Sequence, residues 1–264
     1  MSASDIQAID VHAHYGRWYR EGMDLTSTFM TGDAQCVVDR ARLANTSLTV
    51  VSPLRALVPR LQGDALCGNA EAARVVAEHP ELRQWVVIDP GKPETYGQAE
   101  EMLSLPTCAG IKIHPEEHGY PIREQGRQIF EFAAKHRAIV LTHSGEENSL
   151  PEDFVPFADD FPEVRLILAH IGCTIDNDPG HQVYAVQQSR HGNIFADTSS
   201  GQSVISSLIE WAVAEIGAEK ILYGTDSPLF FTPMQRARID HAEIADAAKE
   251  RILRDNAMEL FQFS

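Results

Sequence analysis

Cysteine and basic residues are both scarce in this chain of 264 residues. Its four cysteines lie far apart without a Cys-x-x-Cys pair, which argues against a disulfide framework and favours reduced thiols. Only 22 lysines and arginines stand against 38 aspartates and glutamates, so the formal net charge is -16 at pH 7. That balance argues against a nucleic-acid partner, which needs a basic stripe. A few arginines in a cleft can still attract a small anion.

Long hydrophobic runs are missing as well. No apolar stretch reaches the roughly 18 residues of a transmembrane helix, and the N-terminus lacks the basic-then-apolar pattern of a secretory leader. The composition, 44% hydrophobic and 23% charged, is that of an ordinary globular protein. We therefore expect a soluble, cytoplasmic protein with no membrane partner; a homo-oligomer stays open.

Short apolar segments alternate along the chain with amphipathic ones. The predicted strands are residues 6–14, 46–52, 83–89, 108–115, 138–145, 164–172, 193–200 and 220–228. The predicted helices are residues 33–45, 65–80, 93–105, 123–137, 151–162, 180–191, 204–217 and 241–261. Eight such repeats predict parallel strands that close into one (β/α)8 TIM barrel, a single domain over residues 1–264. A doubly wound open sheet is the alternative, although no glycine-rich phosphate motif follows the first strand.

Two histidines end the first predicted strand, in "AIDVHAHYG" at residues 8–16. Side chains two apart in a strand point the same way, so Asp10, His12 and His14 share one face. In TIM-barrel enzymes the active site lies at the carboxyl ends of the strands, where inward-facing side chains reach it. A divalent metal is the simplest reason for placing two imidazoles there, because buried histidines without partners are costly.

The ends of other predicted strands carry more residues of this kind. They are Lys112 and His114 in "GIKIHP", His143 in "VLTHSG", His170 in "LILAHIG" and Asp226 in "LYGTDSP". In a closed barrel all of these ends meet on one rim, and the eighth strand lies beside the first. The sequence therefore predicts a metal site built from four histidines and an aspartate.

The motifs resemble those of the amidohydrolase superfamily, and within it the branch that holds aminocarboxymuconate-semialdehyde decarboxylase and related small hydrolases. They occur in order over nearly the whole chain: "DVHAH" (10–14), "GIKIHP" (110–115), "THSG" (142–145), "AHIG" (169–172) and "YGTDSP" (223–228).

The resemblance implies a role for each matching residue. His12, His14 and His143 match histidine ligands of the metal, and Asp226 matches the carboxylate that touches both the metal and its water. His170 matches a histidine that orients substrate or water in one-metal members and binds the second ion in two-metal members.

Lys112 and His114 leave alternatives open. In two-metal relatives a carboxylated lysine at the end of the fourth strand bridges the ions, which is one role for Lys112. The other is an ammonium paired with Asp226 or Asp10. His114 shares the face of Lys112, and we expect it to contact the substrate or a ligand.

These residue types suit Zn²⁺, with Mn²⁺ or Fe²⁺ as alternatives and one or two ions bound.

The first interpretation of the reaction is hydrolysis, in which Asp226 takes a proton from metal-activated water while His170 or Lys112 polarises an amide, lactone or ester carbonyl. The short βα loops favour it. Non-oxidative decarboxylation of an unsaturated or aromatic acid is the alternative, and a catalytically idle metal-binding barrel is a second one.

The loops after the first two strands carry candidates for binding a small acidic substrate. Arg17 or Arg55 is predicted to pair with its carboxylate, while Trp18 or Tyr19 stacks on it. The alternative is that these arginines are solvated loop residues.

Other polar residues lie near the same rim. His118 and His181 are weaker candidates for substrate contact. We expect most of the nearby acids to be solvated, with one of them supporting a ligand histidine; they are Glu116, Glu117, Glu146 and Glu147.

Overall fold

Eight parallel strands in sequential order form the centre of the computed structural model, which describes residues 3–263. The strands are β1 (Ala8–Tyr15), β2 (Thr46–Pro53), β3 (Leu82–Val87), β4 (Cys108–Ile113), β5 (Val140–Thr142), β6 (Leu166–Leu168), β7 (Ile194–Asp197) and β8 (Ile221–Leu222). Each strand pairs with the next one along the chain.

Backbone hydrogen bonds between β1 and the segment after β8 close the barrel. The Val11 amide donates to the Tyr223 carbonyl at 2.9 Å, and the Asp226 amide donates to the His12 carbonyl at 2.7 Å. The prediction of a (β/α)8 TIM barrel is confirmed. Closure brings the residue after β8 next to the two histidines of β1, which an open sheet would leave at opposite edges.

Helices connect the strands on the outside. They are α1 (Asp24–Phe29), α2 (Ala34–Leu43), α3 (Leu54–Leu57), α4 (Ala65–Glu78), α5 (Glu94–Met102), α6 (Pro115–His118), α7 (Ile122–His136), α8 (Pro151–Asp160), α9 (His181–Gln188), α10 (Leu208–Ile216), α11 (Thr232–Asp240), α12 (Asp246–Glu250) and α13 (Asn256–Phe261). A π-helical turn, Arg251–Asp255, joins the last two. Asp33 and Asp64 cap α2 and α4 by accepting from the amides of Cys36 and Cys67.

Four of these helices were not predicted: α1, α3, α6 and α11. The first three are short turns inside the βα loops, below the length that hydrophobic periodicity can mark. Helix α11 has the sequence "TPMQRARID", in which apolar residues are too few to form a stripe. Its Arg236 nevertheless lies buried and donates to the Ala44 carbonyl at 3.0 Å.

An apolar layer inside the barrel lies beneath the rim. It joins one side chain or more from most strands, among them Ile9, Val50, Trp85, Leu141, Ile167 and Leu222. Residues from strands all round the barrel can meet in one cluster only in its interior. Leu141 precedes His143 by two positions on the same face, so this layer is the floor under the polar residues that follow. Within residues 3–263, no helix is both long and apolar enough to cross a membrane.

Candidate metal centre

The two histidines of β1 are buried and held by their Nδ1 atoms. His12 Nδ1 lies 2.9 Å from Asp197 Oδ2, and His14 Nδ1 lies 3.0 Å from the Ser52 carbonyl oxygen. Each Nδ1 also contacts a serine hydroxyl, that of Ser199 for His12 and that of Ser52 for His14. Because the carboxylate and the carbonyl can only accept, they favour a proton on Nδ1 and a lone pair on Nε2. Burial, followed by the nearby Lys112 charge, lowers the pKa of His12 well below its usual range, which keeps the ring neutral.

Asp226 faces both Nε2 atoms. Its Oδ1 lies 2.9 Å from His14 Nε2 and 3.7 Å from His12 Nε2, and one donor atom from each of the three residues falls within 4.8 Å of the others. Two lone pairs and a carboxylate repel one another at such distances, and a cation removes that repulsion. Imidazole nitrogens with a carboxylate are donors that divalent transition metals prefer. The residues present therefore fit a divalent metal.

His143 and His170 complete the ring of imidazoles. The His170 ring centroid lies 4.9 Å from that of His12 and 5.0 Å from that of His143. Among residues 3–263, His143 Nε2 has no hydrogen-bond partner although it is buried; the nearest ion-pair contact is Glu146 Oε1 at 3.7 Å. An unsatisfied buried nitrogen costs about 1–3 kcal/mol, so this atom is available to a metal.

Two of these residues adopt a backbone conformation that non-glycine residues rarely take. His170 has φ 72° and Asp226 has φ 55°. Such conformations cost of order 1–3 kcal/mol and cluster at functional sites, where the surrounding contacts enforce them. The His170 amide donates to Asp197 Oδ1 at 3.0 Å, and the Asp226 amide is held by His12, which fixes both turns.

Asp197, the last residue of β7, was not singled out from the sequence. It is fully buried and holds His12 through Oδ2, while Oδ1 accepts from the amides of His170 and Ser199. His12, His170 and Asp197 also form a second compact group of donor atoms. Because Asp197 meets the protonated Nδ1 of His12, we read it as a support for a ligand. Its position at a strand end was the signal that could have revealed it.

Lys112 points at His12. Its Nζ lies 2.9 Å from His12 Nε2, and burial lowers its pKa to about 8 against the opposing charges of Asp197 and Asp226. Asp10 is engaged elsewhere, since it accepts hydrogen bonds from the amides of His12 and Thr225 and from the Thr225 hydroxyl. Lys112 therefore brings positive charge to the same nitrogen that the metal prediction uses.

The other histidines at the rim lie outside the cluster of candidate metal ligands. His114 stacks on His143, with ring centroids 4.1 Å apart at 11°, and its Nδ1 accepts from the Glu117 amide. His118 Nε2 lies 3.0 Å from the Ala56 carbonyl, and His181 Nε2 lies 2.9 Å from Asp176. Of these three, only His114 lines the cavity described next.

A cavity of about 160 Å³ opens above the imidazoles. The residues that line it are His12, His14, Trp18, Arg20, Leu54, Leu57, Val58, Lys112, His114, Glu117, His143, Glu146, His170, Asp226 and Leu229. It thus unites every predicted metal and catalytic residue with the predicted Trp18. It has a polar floor and a mixed wall of apolar and charged side chains.

The predicted arginines lie outside this cavity. Arg17 packs over the Tyr19 ring at 5.1 Å, and the exposed Arg55 pairs with Glu71 at 3.5 Å. Arg20 lines the cavity instead. A loop of this length can present any of its arginines, and only the folded path decides which one turns inward. Substrate binding by Arg17 or Arg55 stays a prediction.

The expectation that the rim glutamates are mostly solvated is wrong for two of them. Glu116 is 4% and Glu117 is 3% exposed, because the turn α6 folds them beneath the loops after β2 and β5. Glu116 accepts from the amide and the side chain of Asn148, and Glu117 pairs with Arg20. Glu146 approaches His143 without reaching hydrogen-bond distance.

Solved structures of low sequence identity share this fold over nearly their whole length. A 2,6-dihydroxybenzoate decarboxylase from Rhizobium is 14% identical with TM-score 0.75, covering 97% of this chain and 98% of its own. A 5-carboxyvanillate decarboxylase from Sphingomonas paucimobilis is 12% identical with TM-score 0.75, covering 98% and 99%. A dihydroxybenzoic acid decarboxylase from Polaromonas sp. JS666, solved with manganese and 2-nitroresorcinol, is 16% identical with TM-score 0.72, covering 97% of both chains. No curated protein matches the sequence.

The first interpretation of the sequence, hydrolysis of an amide, lactone or ester, is wrong. The similar structures with named activities include several decarboxylases of aromatic acids, which favour the alternative. The short βα loops do not favour hydrolysis, because this chain aligns with 97–99% of those decarboxylase chains. The compact rim therefore does not separate the two reactions.

A match over nearly the whole sequence identifies the family of this chain. The amidohydrolase family profile matches residues 9–263, from β1 to the segment after α13. The match includes every histidine and aspartate of the candidate metal centre, so the resemblance seen in the motifs is confirmed. The chain belongs to the amidohydrolase family.

Proposed function

We propose that this protein is a metal-dependent, non-oxidative decarboxylase of a monocyclic aromatic acid. The observation that carries the proposal is the cavity of about 160 Å³ directly above the histidine–aspartate cluster. An engineered apolar cavity of roughly 150 Å³ holds one benzene molecule, so this space fits a single substituted ring. The relatives named above act on aromatic acids of that size, which supports the same class here.

In this proposal His12, His14, His143 and Asp226 hold one divalent ion. When bound, the ion supplies positive charge that anchors the acid and stabilises negative charge on the substrate. Zinc and manganese both accept this donor set; manganese is the first choice to test, since it is present in the Polaromonas relative. Asp197 and the Ser52 carbonyl keep the ligand nitrogens of His12 and His14 turned inward.

The chain's own residues then move one proton. Asp226 takes a proton from water and delivers it to the ring carbon that bears the carboxylate. The bond from that carbon to the carboxylate breaks, its electron pair returns to the ring, and carbon dioxide leaves. Lys112 and His170, which line the same cavity, orient the acid group, while Trp18 packs against the ring. Asp226 is left as a carboxylate and regains its proton from water.

Carbon dioxide release from hydroxybenzoates is the direct test. Manganese-loaded and zinc-loaded protein should release it with loss of substrate absorbance, and chelation should stop the reaction. Asp226→Asn should lower kcat by about 10²–10⁴-fold, the usual contribution of a positioned acid. Metal-loaded protein that releases no carbon dioxide from any aromatic acid would contradict the proposal and favour an idle metal-binding barrel.

A further inference from the structure

An ion pair stands in the wall of the cavity, apart from the metal-binding residues. Arg20, in the loop after β1, donates from Nη2 to Glu117 Oε1 in α6. Its guanidinium also lies 5.5 Å from the centroid of the Trp18 ring. Trp18, Arg20 and Glu117 all line the cavity. The pair joins two loops that are far apart in sequence, and the proposed proton transfer does not use it.

The pair leaves one donor and one acceptor unused. Arg20 Nε and Glu117 Oε2 are both buried, and neither has a hydrogen-bond partner within residues 3–263. A guanidinium and a carboxylate can form two parallel hydrogen bonds, but here only one is made. Buried polar atoms are nearly always satisfied. A donor and an acceptor left over in the wall of a binding cavity therefore indicate a ligand group that supplies both.

Charge decides which end of the substrate reaches this wall. The carboxylate of an aromatic acid is attracted to the histidine floor with its lysine and metal, whereas the positive charge of Arg20 in the wall is already compensated by Glu117. The far side of the ring is left to meet the ion pair. A hydroxyl group there can donate to Oε2 and accept from Nε, whereas an ether oxygen can only accept.

We propose that Arg20 and Glu117 select substrates bearing a hydroxyl group on the ring side remote from the carboxylate. The inference rests on the proposed function for the aromatic acid itself. It adds a specificity determinant: a remote hydroxyl is accepted, while a second carboxylate or an ether at that position is rejected. A site built to hydrogen-bond a hydroxyl discriminates strongly against analogues that lack it, because its buried polar atoms are then left unpaired.

The test compares two matched ligand pairs with manganese-loaded full-length protein. Salicylates carrying a meta- or para-hydroxyl are compared with the same acids carrying a methoxy group there. Titration calorimetry should show that the better hydroxy isomer binds at least about tenfold more tightly than its methyl ether. In Glu117→Gln the amide oxygen still accepts from Arg20, so a donor replaces the free acceptor. The preference should then fall below about threefold, mainly through weaker binding of the hydroxy acid.

Controls separate selectivity from general damage. Glu147→Gln removes the same charge from an exposed position near the rim and should leave the ratio unchanged. Arg20→Lys keeps the charge without Nε and should also reduce the ratio, which provides a second test if Glu117→Gln folds poorly. Equal binding of hydroxy and methoxy acids by the wild type, or an unchanged ratio in both variants, would overturn the inference.

Different results would contradict the proposed selectivity and the proposed reaction. Carbon dioxide released from hydroxy and methoxy acids with equal affinity would remove the selectivity and leave the reaction standing. Selective binding without any carbon dioxide release would support the ion pair's role in recognition and remove the reaction.

Discussion

Single residues outside the ligand set determine how the candidate ligands are oriented. Asp197 contacts the His12 ring and the His170 backbone, and it is completely buried. Ligand histidines whose second nitrogen is held by a carboxylate are fixed in tautomer and direction. The orientation of the His12 ring on β1 and of the His170 backbone after β6 therefore depends on a carboxylate on β7.

Asp197→Asn should weaken metal binding by about 10–100-fold, the usual effect of losing such a support. The amide keeps the shape but loses the negative charge that favours a protonated Nδ1 on His12. Manganese titration followed by paramagnetic resonance measures the affinity. Asp39→Asn, at an exposed site, should leave it unchanged; equal affinity in both variants would contradict the role.

Removal of a proposed metal ligand should weaken metal binding more than the Asp197 substitution does. His12→Ala should lower bound metal to well below one equivalent and abolish turnover while the fold persists, since the barrel core lies beneath the site. Elemental analysis measures the bound metal, carbon dioxide release measures turnover, and circular dichroism measures the fold. His191→Ala, on the exposed surface, is the control. Full metal content in His12→Ala would remove His12 from the ligand set.

At the scale of secondary-structure elements, a bidentate ion pair connects α10 to α11, the helix that was not predicted. Arg238 donates from Nη1 to Glu210 Oε1 at 3.1 Å and from Nη2 to Glu210 Oε2 at 2.5 Å. These hydrogen bonds lower the pKa of Glu210 to about 2. A depressed carboxyl pKa stabilises the fold above the unfolded-state value and stops doing so as pH falls through the folded value.

Glu210→Gln should therefore destabilise the protein at pH 7 and have little effect at pH 2. The difference should fade between the ordinary glutamate pKa of 4.5 and about 2. Both side chains are half-buried, 13% exposed at Arg238 and 21% at Glu210, so screening by the adjacent solvent limits the loss at pH 7 to about 1 kcal/mol. Urea unfolding at several pH values measures it, with the exposed Glu163→Gln as control. A difference that grows towards low pH would contradict the assignment.

Periodicity located the helices with an apolar stripe but not α11. That helix is defined by what it contacts: the buried Arg236 reaches carbonyls at the end of α2, and Arg238 reaches α10. Such contacts join residues about 200 and 30 positions apart, which local patterns do not encode. The ends of β5, β6 and β8 were likewise predicted too late, because the apolar runs continue into the turns that carry the site.

On the scale of the whole molecule, the C-terminal helix closes the end of the barrel opposite the site. Leu260 and Phe261 join the interior cluster, and the Phe261 ring lies 5.5 Å from Trp85. The first strand and the last helix thus share one core. We propose on this basis that residues 1–264 form a single domain.

Leu260→Ala should lower the free energy of unfolding by about 2–5 kcal/mol, the range for a buried leucine. Leu43→Ala, at a position 74% exposed, should change it by less than about 0.5 kcal/mol. Denaturant unfolding of the two variants measures both. Equal stability would show that α13 is not part of the cooperative core.

The sequence alone determined the barrel and the kinds of residue at its rim, because both follow from local order. Strand–helix alternation sets parallel strands, and a two-residue period places His12 and His14 on one face. Tertiary structure decided the rest: that Asp197 holds the His12 ring, that Arg20 enters the cavity in place of Arg17, and that Glu117 is buried beside it. Those outcomes depend on how loops from distant strands pack against one another and on the space left between them, which no local pattern records.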